Sequence, residues 1–374
     1  MTDVHPILAA ARDLAPLIRA QADAGEALRR LPDPVVAALR ESGAFRMAVP
    51  RCYSGPEVDP LTVVDVLEEL AAADGAAGWC AGISTTTSTL SVYLDPQWAE
   101  QIFSDPALAF GGAFAPTAKA TTIDGGWEVT GRWMWGSGTH HCAWINGGAM
   151  TDTGEMRLMF YPASDVTLLD NWHAVGLKGT GSGDYTVERA FVPAGREIFV
   201  GKVHSRVDTP LGRFPNFNFL AIGVASVTLG IARRAIEEIT ALASKRPANA
   251  ARPLAEHIPA QLAVGEAEAR LSAARAFLRQ EVGVAWQMVW DGARVPTAQR
   301  ARIRLACAHA AMEATRAVDL AYNTGGGTSV FESNQLQRCF RDVHTATQHA
   351  MISDRNIITY GRVHFGLEAD NPML

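Results

Sequence analysis

The chain changes texture twice along its length, and that order restricts what it can fold into. Residues 1 to about 105 are rich in Ala and Leu at helical spacing. Ile7, Leu8, Leu14, Leu17 and Ile18 recur on one face of a first helix. Pro34 sits where a helix restarts, and Pro60 opens another. In that helix Val63, Val64, Val66, Leu67 and Leu70 form an apolar stripe, with Asp65, Glu68 and Glu69 opposite. From Phe110 to about 200 short β-branched and aromatic runs alternate with glycines. Asp124-Gly125-Gly126 separates two of them, which is a hairpin signal, and RLMFYPA and YTVERAFVP read as further strands. Such strands suggest a small β-barrel or sandwich. From about Asn216 helices return: Leu220 to Leu242, Pro259 to Trp290, Arg300 to Tyr322, and a last one from about Gln335 to Tyr360. Helices, then strands, then helices describe an α+β protein and argue against a doubly wound sheet. No GxGxxG follows a strand, so a nicotinamide Rossmann domain has no support. The expected division is 1–108 helical, 109–205 β and 206–374 helical.

Charge and cysteine use narrow the function. A net charge of −6 over 374 residues does not suit a nucleic-acid binder, which needs a basic field, nor simple docking on anionic membrane. The five cysteines are scattered without a CxxC pair, as expected for reduced thiols in the cytoplasm. The N-terminus lacks the basic start and apolar run of a signal peptide. The most apolar run, Phe217 to Ala232, carries Asn218 and reads as too short to span a membrane.

Four stretches then carry a family resemblance. They are LPDPVVAALRESGAFRMAVP running into Glu68-Glu69-Leu70 and Ala76-Ala77-Gly78-Trp79; GGAFAPTAKATTIDGGWEVTGRWMWGSGTHHCAWINGGAM; VGLKGTGSGDYTVERAFVP; and GGGTSVFESNQLQRCFRDVHTATQHAMISD. In this order they resemble the acyl-CoA dehydrogenase fold: an N-terminal helical domain, a central β-barrel and a C-terminal four-helix bundle. The finer resemblance is to the two-component flavin-dependent monooxygenases of that fold, such as the p-hydroxyphenylacetate and steroid-phenol hydroxylases. The acyl-CoA dehydrogenases commonly carry a glutamate base after an Arg-Asp pair. Here Arg341-Asp342 is followed by VHTATQHAMISD, with no carboxylate in that context.

The resemblance implies reduced flavin (FMNH2 or FADH2) and O2, with oxygen transferred through a C4a-(hydro)peroxyflavin to an aromatic or polycyclic small molecule. It also implies a separate NAD(P)H-dependent flavin reductase and a homotetramer or dimer. Trp135, Gly136, Ser137 and Gly138 would line the flavin ring, with Ser137 bonding N5 or the peroxide; the plainer alternative is a β-turn with core tryptophans. Thr180 and Ser182 would form a second polar edge, or a Gly-rich turn. Gly325 and Gly326 would meet the flavin tail, and Arg246 its phosphate. His349 would orient the substrate or take its proton, being able to donate or accept near neutrality. On a continuous helix His344 and His349 lie about 140° apart, so they would not share a face. His140-His141 reads as a strand pair pointing to opposite faces, and no metal site is expected. Relatives with a further histidine after the Ala-Trp element are not matched: Ser84-Thr85-Thr86-Thr87 stands there. Alternatives in the same fold are an N- or S-oxygenase, a flavin dehydrogenase or oxidase, and a non-catalytic member.

Overall fold

A computed structural model describes residues 4–200, 204–245 and 252–374. Five helices come first: α1 (Pro6–Leu28), α2 (Asp33–Glu41), α3 (Pro60–Ala73), α4 (Gly75–Ser88) and α5 (Pro96–Phe103). Prolines open four of them within the first two positions, where the missing N–H costs nothing. Asp59, Asp74 and Asp95 cap α3, α4 and α5 through side-chain oxygens on backbone amides.

The apolar stripe of α3 is buried as expected. Its polar side is taken up by ion pairs to neighbouring helices. Arg275 reaches Asp65 at 2.8 Å and Glu68 at 2.6 Å, and Arg12 reaches Glu69 at 3.0 Å. Enclosure pushes the Glu68 carboxyl up to about 7 against the pull of Arg275. The carboxylate side of α3 is therefore a seam between helices.

The middle region holds seven strands: β1 (Phe110–Ile123), β2 (Gly126–Trp133), β3 (Trp144–Thr151), β4 (Met156–Pro162), β5 (Thr167–Leu168), β6 (Tyr185–Pro193) and β7 (Glu197–Phe199). The expected barrel or sandwich is realised as one mixed sheet of order β5-β6-β2-β1-β3-β4-β7. β1 and β3 run parallel; the other neighbours are antiparallel. Asp124-Gly125 makes the two-residue turn between Ile123 and Gly126, with Gly125 at φ 76°. Trp133 is fully buried, stacked on Tyr185 at 5.0 Å, and donates to the Gly148 carbonyl at 2.9 Å. A Cβ on Gly147 would stand 2.4 Å from that indole, so only glycine lets the strand pass.

The closing region contains the short α6 (Pro210–Arg213), then α7 (Asn216–Ala243), α8 (Ile258–Trp290), α9 (Thr297–Gly325), α10 (Gln335–Ala346) and α11 (Arg355–His364). Helix α7 has 28 residues, longer than its apolar run suggests. It is long and apolar enough to cross a membrane, but 89% of its most apolar window is packed inside the protein.

One expectation fails here. The last helix is not continuous from Gln335 to Tyr360 but stops at Ala346. Thr345 and Thr347 turn their hydroxyls back to the Arg341 and His344 carbonyls, and the Gln348 amide joins the latter. These bonds occupy carbonyls of the final turn and favour termination. His349 then sits at ψ 130°, capping the 3-10 turn Ala350–Ile352.

Candidate active site

Helix α4, the loop after β2 and the turn at His349 meet around the Trp79 indole. Trp79 Nε1 donates to Ser137 Oγ at 3.0 Å. The same ring meets the His349 imidazole edge-on, with centroids 5.6 Å apart and planes at 71°. Ser137 and His349 thus lie against one side chain, although 212 positions separate them in sequence. The separation of His344 from His349 does not follow from helix phase, since His349 is on a turn. His344 points elsewhere: it bonds Asp319 at 2.9 Å and packs on Phe340.

The loop from Trp135 to Gly138 is shaped by its backbone. Trp135 has φ 62°, a left-handed conformation costly for an aromatic residue, and its side chain is 65% exposed. Such strain persists where surrounding structure imposes it, commonly at ligand sites. Gly136 has no room for a side chain, because a Cβ would lie 2.8 Å from Tyr185 and 3.1 Å from the Gly183 carbonyl. Gly138 is left-handed at φ 72°. Its amide bonds the Thr180 carbonyl at 2.9 Å, which docks this loop onto the Lys178–Thr180 turn. An uncovered indole on a rigid glycine frame, beside a serine oxygen, fits the face and edge of a flat heterocycle such as a flavin.

Thr180 and Ser182 complete a line of hydroxyls. Ser137 Oγ is 2.7 Å from Ser182 Oγ, which is 2.7 Å from Thr180 Oγ1, which donates to the Leu177 carbonyl at 2.7 Å. All three hydroxyl residues are buried.

His349 accepts the Met351 amide on Nδ1 at 3.2 Å. With that lone pair used, the neutral ring carries its proton on Nε2 and is a donor there. Burial and then the Arg304 charge push its pKa down to about 4. Arg304 was not anticipated as part of the site. It is 1% exposed and spends its donors on neutral groups: Asn356 Oδ1 at 2.9 and 2.7 Å, the Phe217 carbonyl at 3.0 Å and Met351 Sδ at 2.8 Å. The sequence signal was an arginine at a position on α9 otherwise occupied by core-facing residues.

The remaining candidates lie apart. Gly325 ends α9, and a Cβ there would meet Ser329, Leu336 and Leu242, none of which belongs to the Ser137 cluster. Gly326 is left-handed with open space around it. Arg246 lies outside the described residues. His140 and His141 are on the 3-10 turn Thr139–His141, not on a strand; burial pushes His141 down to about 3. The hydroxyls of Ser84, Thr85 and Thr86 bond backbone carbonyls. Thr86 also borders a narrow cavity of about 10 Å³ between α4 and α7, walled by Trp79, Gly82, Ile83, Leu220 and Gly223. That is room for roughly one water-sized guest.

Two buried carboxyls, Asp342 and Asp74, lie nearby, and their burial is not evident from the sequence. Asp342 accepts the Leu177 amide at 2.6 Å and lies against Gly75, close to the Asp74 cap. Burial, with repulsion from Asp74, pushes Asp342 up to about 7; burial pushes Asp74 up to about 6. An unfolded aspartate titrates near 3.9, so between about pH 4 and 7 the folded state keeps a proton that the unfolded chain has lost. Asp342 therefore contributes stability at low pH that is lost as pH rises through 7. Asp342→Asn removes this dependence. Denaturant unfolding of both proteins at several pH values should show the unsubstituted protein losing ground to the variant by up to about 1.4 kcal/mol per pH unit. A difference independent of pH would exclude the assignment.

Comparison with known proteins agrees with this architecture. Residues 8–95 match the family described as acyl-CoA dehydrogenase, N-terminal domain, and residues 222–354 match acyl-CoA dehydrogenase, C-terminal domain. The chain belongs to the acyl-CoA dehydrogenase family, in its branch of flavin-dependent monooxygenases. It is 32% identical to an indole-3-acetate monooxygenase of Pseudomonas putida, over 90% of this chain and 88% of that protein. It is 28% identical to the flavin-dependent monooxygenase oxygenase subunit HsaA of Rhodococcus jostii, over 96% and 98%. Among solved structures it superposes on 3-HSA hydroxylase from Rhodococcus sp. RHA1 with TM-score 0.93 at 28% identity, covering 100% of both chains. XiaF from Streptomyces sp., solved in complex with FADH2 and glycerol, gives TM-score 0.93 at 27% identity, over 98% and 97%.

Proposed function

We propose that this chain is the oxygenase component of a two-component system, using reduced flavin and O2 to hydroxylate an aromatic small molecule. The observation that carries this reading is the junction at Trp79, which holds a serine oxygen and a neutral histidine donor on one indole. Reduced flavin supplies the oxygen-activating chemistry when bound. The residues that would hold it are Trp135, Gly136, Ser137 and Gly138, with Thr180 and Ser182 behind them. Gly325, Gly326 and Arg246 are proposed for the flavin tail, in keeping with a site completed between subunits.

His349 is the proposed catalytic residue. Of its two available roles, donation from Nε2 fits the hydrogen bond at Nδ1. An imidazole whose other nitrogen already accepts a backbone amide has no lone pair left for a phenolic proton. It can hold a substrate oxygen, or polarise the oxygen being transferred, by donating.

The relatives that act on indole-3-acetate, p-hydroxyphenylacetate and resorcinol favour an aromatic substrate with a polar handle. The test is to mix the anaerobic protein with FMNH2 or FADH2, admit O2, and follow absorbance while screening phenols and indoles for hydroxylated products. A third absorbing species between reduced and oxidised flavin, followed by product, is the expected result. Direct reoxidation with no product from any aromatic would overturn the reading. Flavin that copurifies tightly in its oxidised form would favour a dehydrogenase.

A further inference from the structure

The line of hydroxyls behind Ser137 has only one direction. The Leu177 carbonyl can only accept, so the 2.7 Å bond to it consumes the Thr180 hydroxyl proton. It is the shortest of three bonds to that oxygen; the Thr180 amide at 3.1 Å and Trp172 Nε1 at 3.2 Å are the others. Thr180 Oγ1 must then accept from Ser182, and Ser182 Oγ must accept from Ser137. Trp79 Nε1, a donor only, meets Ser137 from the other side. Every proton in the row points toward Leu177. A hydroxyl oxygen has two lone pairs and one proton. Ser137 has given its proton to Ser182 and one lone pair to Trp79, and one lone pair remains.

We infer that Ser182 and Thr180 are positioning residues that make Ser137 an obligate hydrogen-bond acceptor, and that this row selects flavin carrying a proton at N5. The inference rests on the proposed placement of Ser137 at the flavin edge. Reduced flavin carries N5–H and can donate to the free lone pair of Ser137. Oxidised flavin presents a bare N5 lone pair, and two lone pairs facing each other repel. An oxygenase that takes reduced flavin from a separate reductase needs such discrimination, because the oxidised form is also present in solution. The anchor of the row is itself constrained. Leu177 is held left-handed at φ 49°, with its amide on Asp342 at 2.6 Å.

The experiment compares dissociation constants for oxidised and reduced FMN, the latter anaerobically, across a set of variants. Thr180→Val keeps the side-chain shape but removes the acceptor for Ser182. The Ser182 proton then turns to Ser137, and the Ser137 proton turns outward. Reduced flavin should bind more weakly and oxidised flavin more tightly, narrowing the ratio of the two constants about three- to ten-fold, the scale of one hydrogen bond. Ser182→Ala frees the same proton and should narrow the ratio in the same sense. Thr180→Ser retains the hydroxyl and should keep the original ratio. A ratio unchanged in both cut variants, or both constants weakened in equal proportion, overturns the relay and leaves these residues merely structural. Ser137→Ala distinguishes the premise. If it moves the ratio while the cut variants do not, the site reading stands and the relay fails. If it leaves both constants unchanged, Ser137 does not meet the flavin and the relay's role falls with it.

Discussion

Replacing His349 with alanine should reduce hydroxylated product by about 10²- to 10³-fold, the range for removing one preorganised donor from a developing charge. Binding of reduced flavin should remain, because none of the hydroxyls and glycines proposed to hold it is bonded to His349. Consumed O2 should instead appear as hydrogen peroxide, measured by a peroxidase-coupled assay beside product chromatography. His349→Asn is the informative companion, since its amide can donate without titrating. The wild-type profile should show no activity limb near pH 6.5, the ordinary histidine value, because burial and Arg304 hold this imidazole neutral down to about 4. A product limb centred near 6.5 that vanishes in His349→Asn would contradict the neutral-donor assignment.

Arg304→Ala should be the most destabilising single change near the site. This buried guanidinium ties α9 to the start of α7 through Phe217, to the His349 turn through Met351 and to α11 through Asn356. Removing it leaves the Phe217 carbonyl and the buried Asn356 amide oxygen short of donors and opens a cavity. The cost should be about 3–5 kcal/mol, read from denaturant unfolding. Arg304→Lys and Arg304→Met separate charge from shape. Lysine keeps a cation beside His349 but cannot span Asn356 and Phe217 together. Methionine removes the cation and should raise the His349 pKa, which ring NMR would follow. An unshifted imidazole in Arg304→Met would show that burial alone keeps it neutral.

The architecture was readable where local chemistry and tertiary packing agree. Alternation in YTVERAFVP, the Asp124-Gly125 turn and the proline-led helices all reappear as strands, turn and helix starts. The break at Ala346 was not readable, because a Thr-rich segment has helical spacing until its hydroxyls compete for the carbonyls. Of the candidate site, the residue types near Ser137 were legible from glycine and serine spacing together with the family resemblance. Their union with His349 was not, since it depends on one indole reaching two loops from a helix. The burial of Arg304 and Asp342 was not legible for a related reason. A charged residue in a helical run reads as surface unless something shows that its face is buried. Leu177 carries no polar group in its side chain, so its part in the site lies in a backbone angle that no sequence pattern announces.

The position of Trp79 has a consequence for which residues around it can vary. One ring donates to Ser137, leans on His349 and walls the cavity between α4 and α7. Substituting it would disturb Ser137 and His349 in the same step, so its effects would be strongly non-additive with changes at either. The freer positions are Gly82 and Gly223 across the cavity. An added Cβ at either meets nothing closer than 3.5 Å. A small side chain should be tolerated at those two glycines more readily than any change at the indole.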